Sequence, residues 1–354
     1  MKPLIIPIFV IYKGCPNRCL YCNERITAGN YPDRITEEHI RHTVDGHLKT
    51  ASPGRDRTEI AFYGGNFTGM DRDYQRELLR LARSYVEDGL VQSIRISTRP
   101  DYIDEARIGL LSHYNVTTVE IGAQSMVDDV LQRSRRGHTA DDVRRSVRLL
   151  KESGFETGIH LMAGLPGDTR RRFMHTVEET VKMKPHTVRI HPTLVLKDTE
   201  LGEIFLRGDY HPLSLDEAVC LCRDACIRLR SADISVIRLG LHISEEMGTE
   251  GSVVAGPMHP AFGTLVEASL FLRMASQLLD EAHRPEGAIT FSVSPRDVSR
   301  IRGLRNSNLS ILRDRFCLSD IRIVQGPLQA RETLILTVSG KTYTTDVKSC
   351  SLEA

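Results

Sequence analysis

Short apolar runs alternate with longer amphipathic stretches through the first two thirds of this chain, and that alternation limits the fold more than any other feature. Runs at 4–12, 58–63, 92–98, 117–122, 157–163, 186–195 and 234–239 have the length and composition of strands. Between them, 36–49, 71–88, 102–112, 139–153, 169–183 and 214–231 carry apolar residues at helical spacing. Repeated strand–helix units predict parallel β/α packing, an α/β fold. Right-handed crossovers curl such a sheet into a barrel or part of one. After Arg238 the character changes. Gly240 to Gly256 is rich in Gly, Glu and Ser, and a helical pattern at 264–280 leads into an Arg-rich, β-leaning end. The expected division is a core domain at 1–239 and a smaller α+β extension at 240–354.

Barrels of this kind collect their active groups where strands end and loops begin. A cysteine loop follows the first strand, Gly64-Gly65-Asn66 the second, and Ser97-Thr98-Arg99 closes the third. Glu120-Ile-Gly-Ala-Gln124 closes the fourth and Gly164-Leu-Pro-Gly167 follows the fifth. Each stretch stands out for its residues alone, and all fall at one rim.

The cysteine loop reads Gly14-Cys-Pro-Asn-Arg-Cys-Leu-Tyr-Cys-Asn23, with Cys15, Cys19 and Cys22 spaced C-x3-C-x2-C. Three thiolates on one short loop can share an inorganic cluster. A [4Fe–4S] cube usually takes four thiolates, so three leave one iron for another ligand. A zinc site needs a closed tetrahedral set, and no fourth Cys or His lies near in sequence. Disulfides suit neither the spacing nor a chain that otherwise reads as intracellular. Cys220, Cys222 and Cys226 lie on a helical pattern, where Cys220 points away from the other two, so they read as small buried hydrophobes.

A formal charge of +1 gives no global attraction to nucleic acid or acidic membranes, so any polyanion site must be a local patch. One candidate is the basic run Pro295 to Arg305, with Arg300, Arg302 and Arg305. It lacks aromatic residues for stacking bases and reads somewhat better as a solvated face. No apolar run reaches membrane-span length. The opening Leu4 to Ile11 lacks a cleavage site and reads as a buried strand, and the expected compartment is the cytoplasm.

The cysteine spacing and its context resemble the radical S-adenosylmethionine (SAM) superfamily. From Pro7 to about His211 the chain looks like the Elongator catalytic-subunit class of that superfamily. The stretches that carry this likeness are Gly-Gly-Asn-Phe-Thr-Gly69, Thr-Arg-Pro-Asp101, Glu120 to Gln124, Arg-Gly-His-Thr139, Gly-Leu-Pro-Gly167 and His191-Pro-Thr-Leu-Val195. The resemblance implies a partial (β/α)6-type TIM barrel whose Cys15, Cys19 and Cys22 ligate a [4Fe–4S] cluster. SAM would bind the open iron through its amino and carboxylate groups. One electron would then release a 5′-deoxyadenosyl radical, in an oxygen-sensitive enzyme served by a one-electron reductase such as flavodoxin or ferredoxin.

In that reading Gly64 and Gly65 hold the SAM amino group, and Asn66 stands where the family usually has an acid or Thr. Gln124 and Arg136 reach the SAM ribose and carboxylate. Tyr21, Arg99, His160 and Met162 complete the expected cofactor-binding set. Plainer roles stand beside these: a turn for the glycines, a solvated helix start for Arg136, a packed residue for His160, core for Met162. His160 matches the Elongator class, where the coproporphyrinogen-oxidase branch carries an acid. Members of the Elongator class install a carboxymethyl group on wobble uridine of tRNA with an added acetyltransferase domain, for which 354 residues leave no room. The C-terminal region resembles the radical SAM C-terminal extension. The expected function is a radical SAM enzyme, with tRNA modification ahead of chemistry on a small molecule, a peptide or a porphyrin. A non-catalytic cluster- or cofactor-binding protein is the remaining alternative.

Overall fold

In the computed structural model, residues 4–16, 18–29, 31–51, 57–241 and 244–351 are described. The chain forms two compact units, the first made of Met1–Pro212 and Leu241–Gly256, the second of Leu213–Gly240 and Pro257–Ala354. The division is therefore not a single cut at 239/240. The polypeptide enters the second unit, returns for one short stretch, and enters it again.

The first unit is a curled parallel sheet. Its strands are β1 (Leu4–Phe9), β2 (Thr58–Tyr63), β3 (Ser93–Thr98), β4 (Val116–Gln124), β5 (Glu156–Ala163) and β6 (Thr187–Pro192). Each pairs in parallel with the next, in sequence order. Helices Glu37–Thr50, Arg72–Glu87, Glu105–His113, Ala140–Glu152 and Arg170–Met183 make the crossovers. Their starts are set by local chemistry: Thr36, Asp71, Asp104, Thr139 and Thr169 each accept a first-turn N–H, with a full capping box at Thr139 and Asp142.

The two faces of the sheet differ in chemistry. Ile6, Ile8, Ile60, Phe62, Ile94, Ile96, Val119, Ile121, Ile159, Leu161, Val188 and Ile190 are fully buried and form the core under the helices. The alternate positions point to the other face by the strand period of two. They include Glu59, Tyr63, Arg95, Glu120, His160 and Arg189, so the concave face is polar. A parallel sheet buried on both faces normally reads as a continuous apolar run. Here the alternation marks a working surface.

The returning stretch braces the cysteine loop. Val253–Ala255 pairs antiparallel with Val195–Leu196, and the Lys197 N–H donates to the Ser252 carbonyl at 2.9 Å. Leu20 packs in a small core with Val195, Leu201 and Tyr210, against which Tyr21 rests. The Leu201 N–H donates to the Leu20 carbonyl at 2.8 Å, and Asn23 Nδ2 to the Lys197 carbonyl at 2.9 Å. Residues 252–255, expected in the extension, thus brace the strand that packs against the site loop.

In the second unit, a four-stranded sheet has the order Leu318–Gln325, Gly287–Val293, Thr333–Val338, Lys341–Asp346, with the first pair parallel and the others antiparallel. Helices Leu215–Ser231, Phe262–Glu281, Val298–Arg302 and Ser307–Phe316 accompany it. Cys222 and Cys226 are fully buried on the first of these, as expected of small hydrophobes, whereas Cys220, expected to be buried with them, is exposed. No described helix is long and apolar enough to cross a membrane.

The basic run is not uniformly solvated. Arg300 pairs with Asp297 at 3.1 Å, Glu332 at 3.4 Å and Glu267 at 3.6 Å, and its side chain is only 20 % exposed. It is a structural cation of the second unit, whereas Arg302 and Arg305 are exposed. Removing one partner of a buried charge cluster leaves the others uncompensated. Arg300→Ala should therefore cost about 2–4 kcal/mol in urea unfolding, and Arg305→Ala should stay within about 0.5 kcal/mol of the parent. Equal effects would show that Arg300 is not a structural cation.

Candidate active site

The rim at the C-terminal ends of the strands is tied together by three side chains. Asn66, fully buried, accepts from the Thr98 hydroxyl at 2.6 Å and the Arg99 N–H at 3.1 Å. It donates through Nδ2 to the Gly14 carbonyl at 2.8 Å. Its amide therefore joins the loops after β1, β2 and β3, and its side chain is fully engaged by protein groups. Glu24 forms the second tie. One carboxylate oxygen accepts from the Gly65 N–H at 2.5 Å and the other from the Tyr12 N–H. Burial, opposed by those two backbone N–H groups, raises the Glu24 carboxyl above its ordinary value.

Arg136 forms the third tie. Its Nη1 lies 3.1 Å from Cys19 Sγ, and its Nη2 donates to the Gly122 carbonyl at 2.6 Å. A Cβ at Gly122 would lie 3.3 Å from both Arg136 Nη2 and Gln124 Nε2, so a larger residue there would press on both side chains. Gln124 holds a left-handed conformation, φ 65°, at an irregularity in the β4–β5 ladder. Gln124, Arg136 and Cys19 thus meet at one point, although β4 and the loop after β1 are far apart in sequence. Arg136 is not the solvated arginine of its plainer reading; it is 7 % exposed. Burial opposes its charge, but Tyr21 and Cys19 outweigh that and raise its pKa.

The other expected residues fall as follows. Gly65 is left-handed, φ 57°, and a Cβ there would lie 2.4 Å from the Lys13 carbonyl oxygen, so only glycine fits. Arg99 is buried and paired with Asp101 through Nε at 3.0 Å and Nη2 at 2.8 Å. Met162 is half-buried beside His191 in the β5–β6 register. His160 lies deeper on the concave face, with Nε2 2.6 Å from Glu120 Oε2.

That contact belongs to a network which the reading by motif overlooked. Glu120, 1 % exposed, also accepts from Arg95 Nη1 at 2.6 Å and from Arg189 Nη2 at 3.0 Å. Arg95 Nε reaches Glu59 at 2.6 Å, and Arg189 donates to the Tyr63 hydroxyl at 2.7 Å. Burial would raise the Glu120 carboxyl, but His160 first, then Arg189 and Arg95, hold it well below the usual carboxylate range. The ionised carboxylate fixes the donor on His160 Nε2. His138 was also missed. Burial first, and then the charges of Arg136 and Arg99, push it down to about 3, so the neutral ring donates from Nε2 to the Ala123 carbonyl at 3.2 Å. The signal for the network was present in the polar alternate positions of strands whose other positions are aliphatic.

The donor set fits an iron–sulfur cluster with a small zwitterion beside it. Cys15, Cys19 and Cys22 are free thiols on one loop. Arg136 Nε and Arg99 Nη1 are buried without a hydrogen-bond partner, so donors remain for a bound carboxylate. Among the described residues no group of three His, Cys, Asp or Glu side chains is arranged to hold a metal ion. Burial first, then the charges of Glu24 and Cys19, raise the Cys22 thiol, so cluster binding must expel its proton.

The radical SAM superfamily profile matches residues 9–180, and the profile of the Radical_SAM C-terminal domain matches 185–271. The chain belongs to the radical SAM superfamily, a family of enzymes. Within it, the chain is 26 % identical over 253 residues to the tRNA uridine(34) acetyltransferase of Methanocaldococcus jannaschii, covering 61 % of this chain and 47 % of that one. It is 31 % identical over 202 residues to Elongator complex protein 3 of Dictyostelium discoideum, covering 51 % and 36 %. It spans about half the length, or less, of these relatives. The structure of Methanocaldococcus infernus Elp3 lacking residues 1–46 superposes with a TM-score of 0.56 at 22 % identity, over 79 % of this chain and 63 % of that one. That likeness bears on the fold alone.

The Glu120 network has a pH signature. A carboxyl depressed in the folded state contributes stability above the unfolded value near 4.3, and the contribution is lost as pH falls through the folded value. Glu120→Gln should destabilise the protein by about 3–5 kcal/mol at pH 7, with the difference from the parent shrinking below about pH 4. Chemical denaturation across pH measures both, and a penalty constant down to pH 3 would contradict an ionised, depressed Glu120.

Proposed function

We propose that this protein cleaves SAM reductively at a [4Fe–4S] cluster held by Cys15, Cys19 and Cys22, and acts on a nucleoside of tRNA. The observation that carries the reading is the bridge from Cys19 Sγ through Arg136 to Gly122, with Gln124 beside it. It sets a buried guanidinium with an unused N–H against the thiol loop, where a carboxylate bound next to the cluster would be received. When bound, the cluster supplies one electron to SAM and thereby a 5′-deoxyadenosyl radical.

The chain's residues supply the rest. Arg136 binds the carboxylate by charge-assisted hydrogen bonds. Gly64 and Gly65 present backbone to the amino group, and Gln124 turns its amide to the ribose. Met162 and Tyr21 give apolar surface and exclude water. His160, oriented by Glu120, offers Nδ1 to the substrate. On the concave face Glu59 and Glu120 are matched by Arg95 and Arg189, so the charges cancel. Such a floor suits an uncharged planar heterocycle better than a phosphate, as a nucleobase would be. The tRNA substrate is supported by the likeness to the tRNA uridine(34) acetyltransferase of Methanocaldococcus jannaschii.

Anaerobically reconstituted protein should carry about four irons and four sulfides per chain. Cys15→Ala, Cys19→Ala or Cys22→Ala should abolish that content, and Cys222→Ala should leave it. Dithionite-reduced wild-type protein should release 5′-deoxyadenosine; a loaded cluster without that product would mark a non-catalytic binder. Arg136→Ala should keep the iron yet raise the SAM dissociation constant at least about tenfold, in line with the ~1.5–3 kcal/mol of a charge-assisted bond. Nucleoside mass spectrometry of tRNA from cells with and without the protein tests the substrate, and identical profiles would count against tRNA.

A further inference from the structure

The rim around the site is not evenly charged. The loops after β4 and β5, residues 125–139 and 164–172, hold six arginines and three aspartates, in a chain whose formal charge is +1. Arg136 is buried at the cofactor site, and Arg172 is half-buried. Arg133, Arg135, Arg170 and Arg171 are exposed, with Arg133 paired with Asp129 at 3.0 Å and Arg135 with Glu200 at 2.6 Å on the surface. In the basic run of the second unit, the central cation, Arg300, is only 20 % exposed and lies among three carboxylates.

The two loops are locked to one another. Arg172 donates to the Gly167 carbonyl at 2.5 Å and to Asp129 at 2.7 Å, and Arg133 donates to the same Asp129 at 3.0 Å. The Arg133 stem lies against Gly167, where a Cβ would sit 2.6 Å from its Cδ. Asp128 caps Ala140 N at 2.7 Å, and Asp168 accepts from Gly164 N and Thr169 N. The acids thus serve mainly to position the loops. The Leu20 N–H donates to the Ser134 carbonyl at 3.3 Å, which fastens this arginine surface to the cysteine loop itself.

We infer that this surface receives the sugar–phosphate backbone of an RNA while its reacting base enters the charge-balanced concave face. The inference rests on the RNA reading above and assigns it a place. Guanidinium forks match phosphate oxygens in geometry, and the loops hold them at the mouth of the site. Phosphates stay outside, because the concave-face cations Arg95 and Arg189 are already paired with Glu59 and Glu120.

The test is tRNA binding by fluorescence anisotropy with labelled transcript, from 50 to 300 mM KCl, on cluster-loaded protein. Three proteins are compared: wild type, Arg133→Gln/Arg170→Gln/Arg171→Gln, and Arg302→Gln/Arg305→Gln. Each lost phosphate contact removes about 0.7–0.9 from the slope of log K against log salt. The rim triple variant should lose about 2 from that slope and bind at least tenfold more weakly at low salt. Its iron content and RNA-free SAM cleavage should stay at wild-type levels, and the second-unit variant should bind like wild type. A triple variant with wild-type slope would overturn this surface while leaving the RNA reading standing. So would an equal loss in the second-unit variant, which would reduce the effect to overall charge. Wild-type protein with no tRNA affinity at low salt would overturn the RNA reading and this surface together.

Discussion

Glu120 is the constraint on which the half-barrel depends. It sits at the centre of four strands and is solvated by protein instead of water: Arg95 from β3, His160 from β5 and Arg189 from β6. Each of these groups would be prohibitively costly to bury alone, and each is tolerable only with the others in place. The sheet therefore cannot slip by a single residue. A shift would move the whole charged set into the aliphatic layer under the helices and the aliphatic set onto the open face. A purely apolar interior would hold the strands as well, but would offer no oriented polar group to a substrate.

A division of labour follows at the rim. The loops that meet there come from strands fixed by the network, yet they share no regular hydrogen bonding. Single side chains supply it instead. Asn66, from the loop after β2, bonds the loop after β1 and the end of β3, and Glu24 joins the loop after β1 to the glycine edge after β2. An acid at position 66 could accept from Thr98 and Arg99, but when ionised it could not donate to the Gly14 carbonyl. The amide does both, which accounts for Asn at this position. Its contribution to any cofactor is therefore through the backbone it holds.

How much of this was legible in the sequence depended on whether the signal was local. Strands and crossover helices were legible because apolar periodicity is local; β2 and β3, for example, begin and end within a residue of where Thr58–Tyr63 and Ser93–Thr98 lie. The rim motifs were legible because the barrel rule places strand ends together. The Glu59–Arg95–Glu120–Arg189 network was not, since its members occur one per strand and acquire meaning only through register. The division into units was missed for the same reason. Residues 244–256 have the composition of a linker, and only the pairing of Val253–Ala255 with Val195–Leu196 shows that they return to the first unit. Arg300 was misjudged because two of its three partners, Glu267 and Glu332, lie more than thirty residues away on either side.

The arrangement around Arg136 shows why the thiol loop and the expected SAM carboxylate position cannot be designed separately. A buried guanidinium needs a counter-charge, and Arg136 forms no ion pair with a carboxylate among the described residues. Its partners are a sulfur and a carbonyl oxygen. At Cys22, burial and then Glu24 keep the thiol protonated, while Arg136 works the other way. The cation therefore lowers the cost of forming thiolates for a metal, and thiolates lower the cost of keeping the cation buried. A carboxylate arriving beside the cluster would complete the set by occupying the Nε–H left over. Each component stabilises the state that the next requires, so occupancy of the thiol loop and of the carboxylate site should be linked in free energy, not merely adjacent in space.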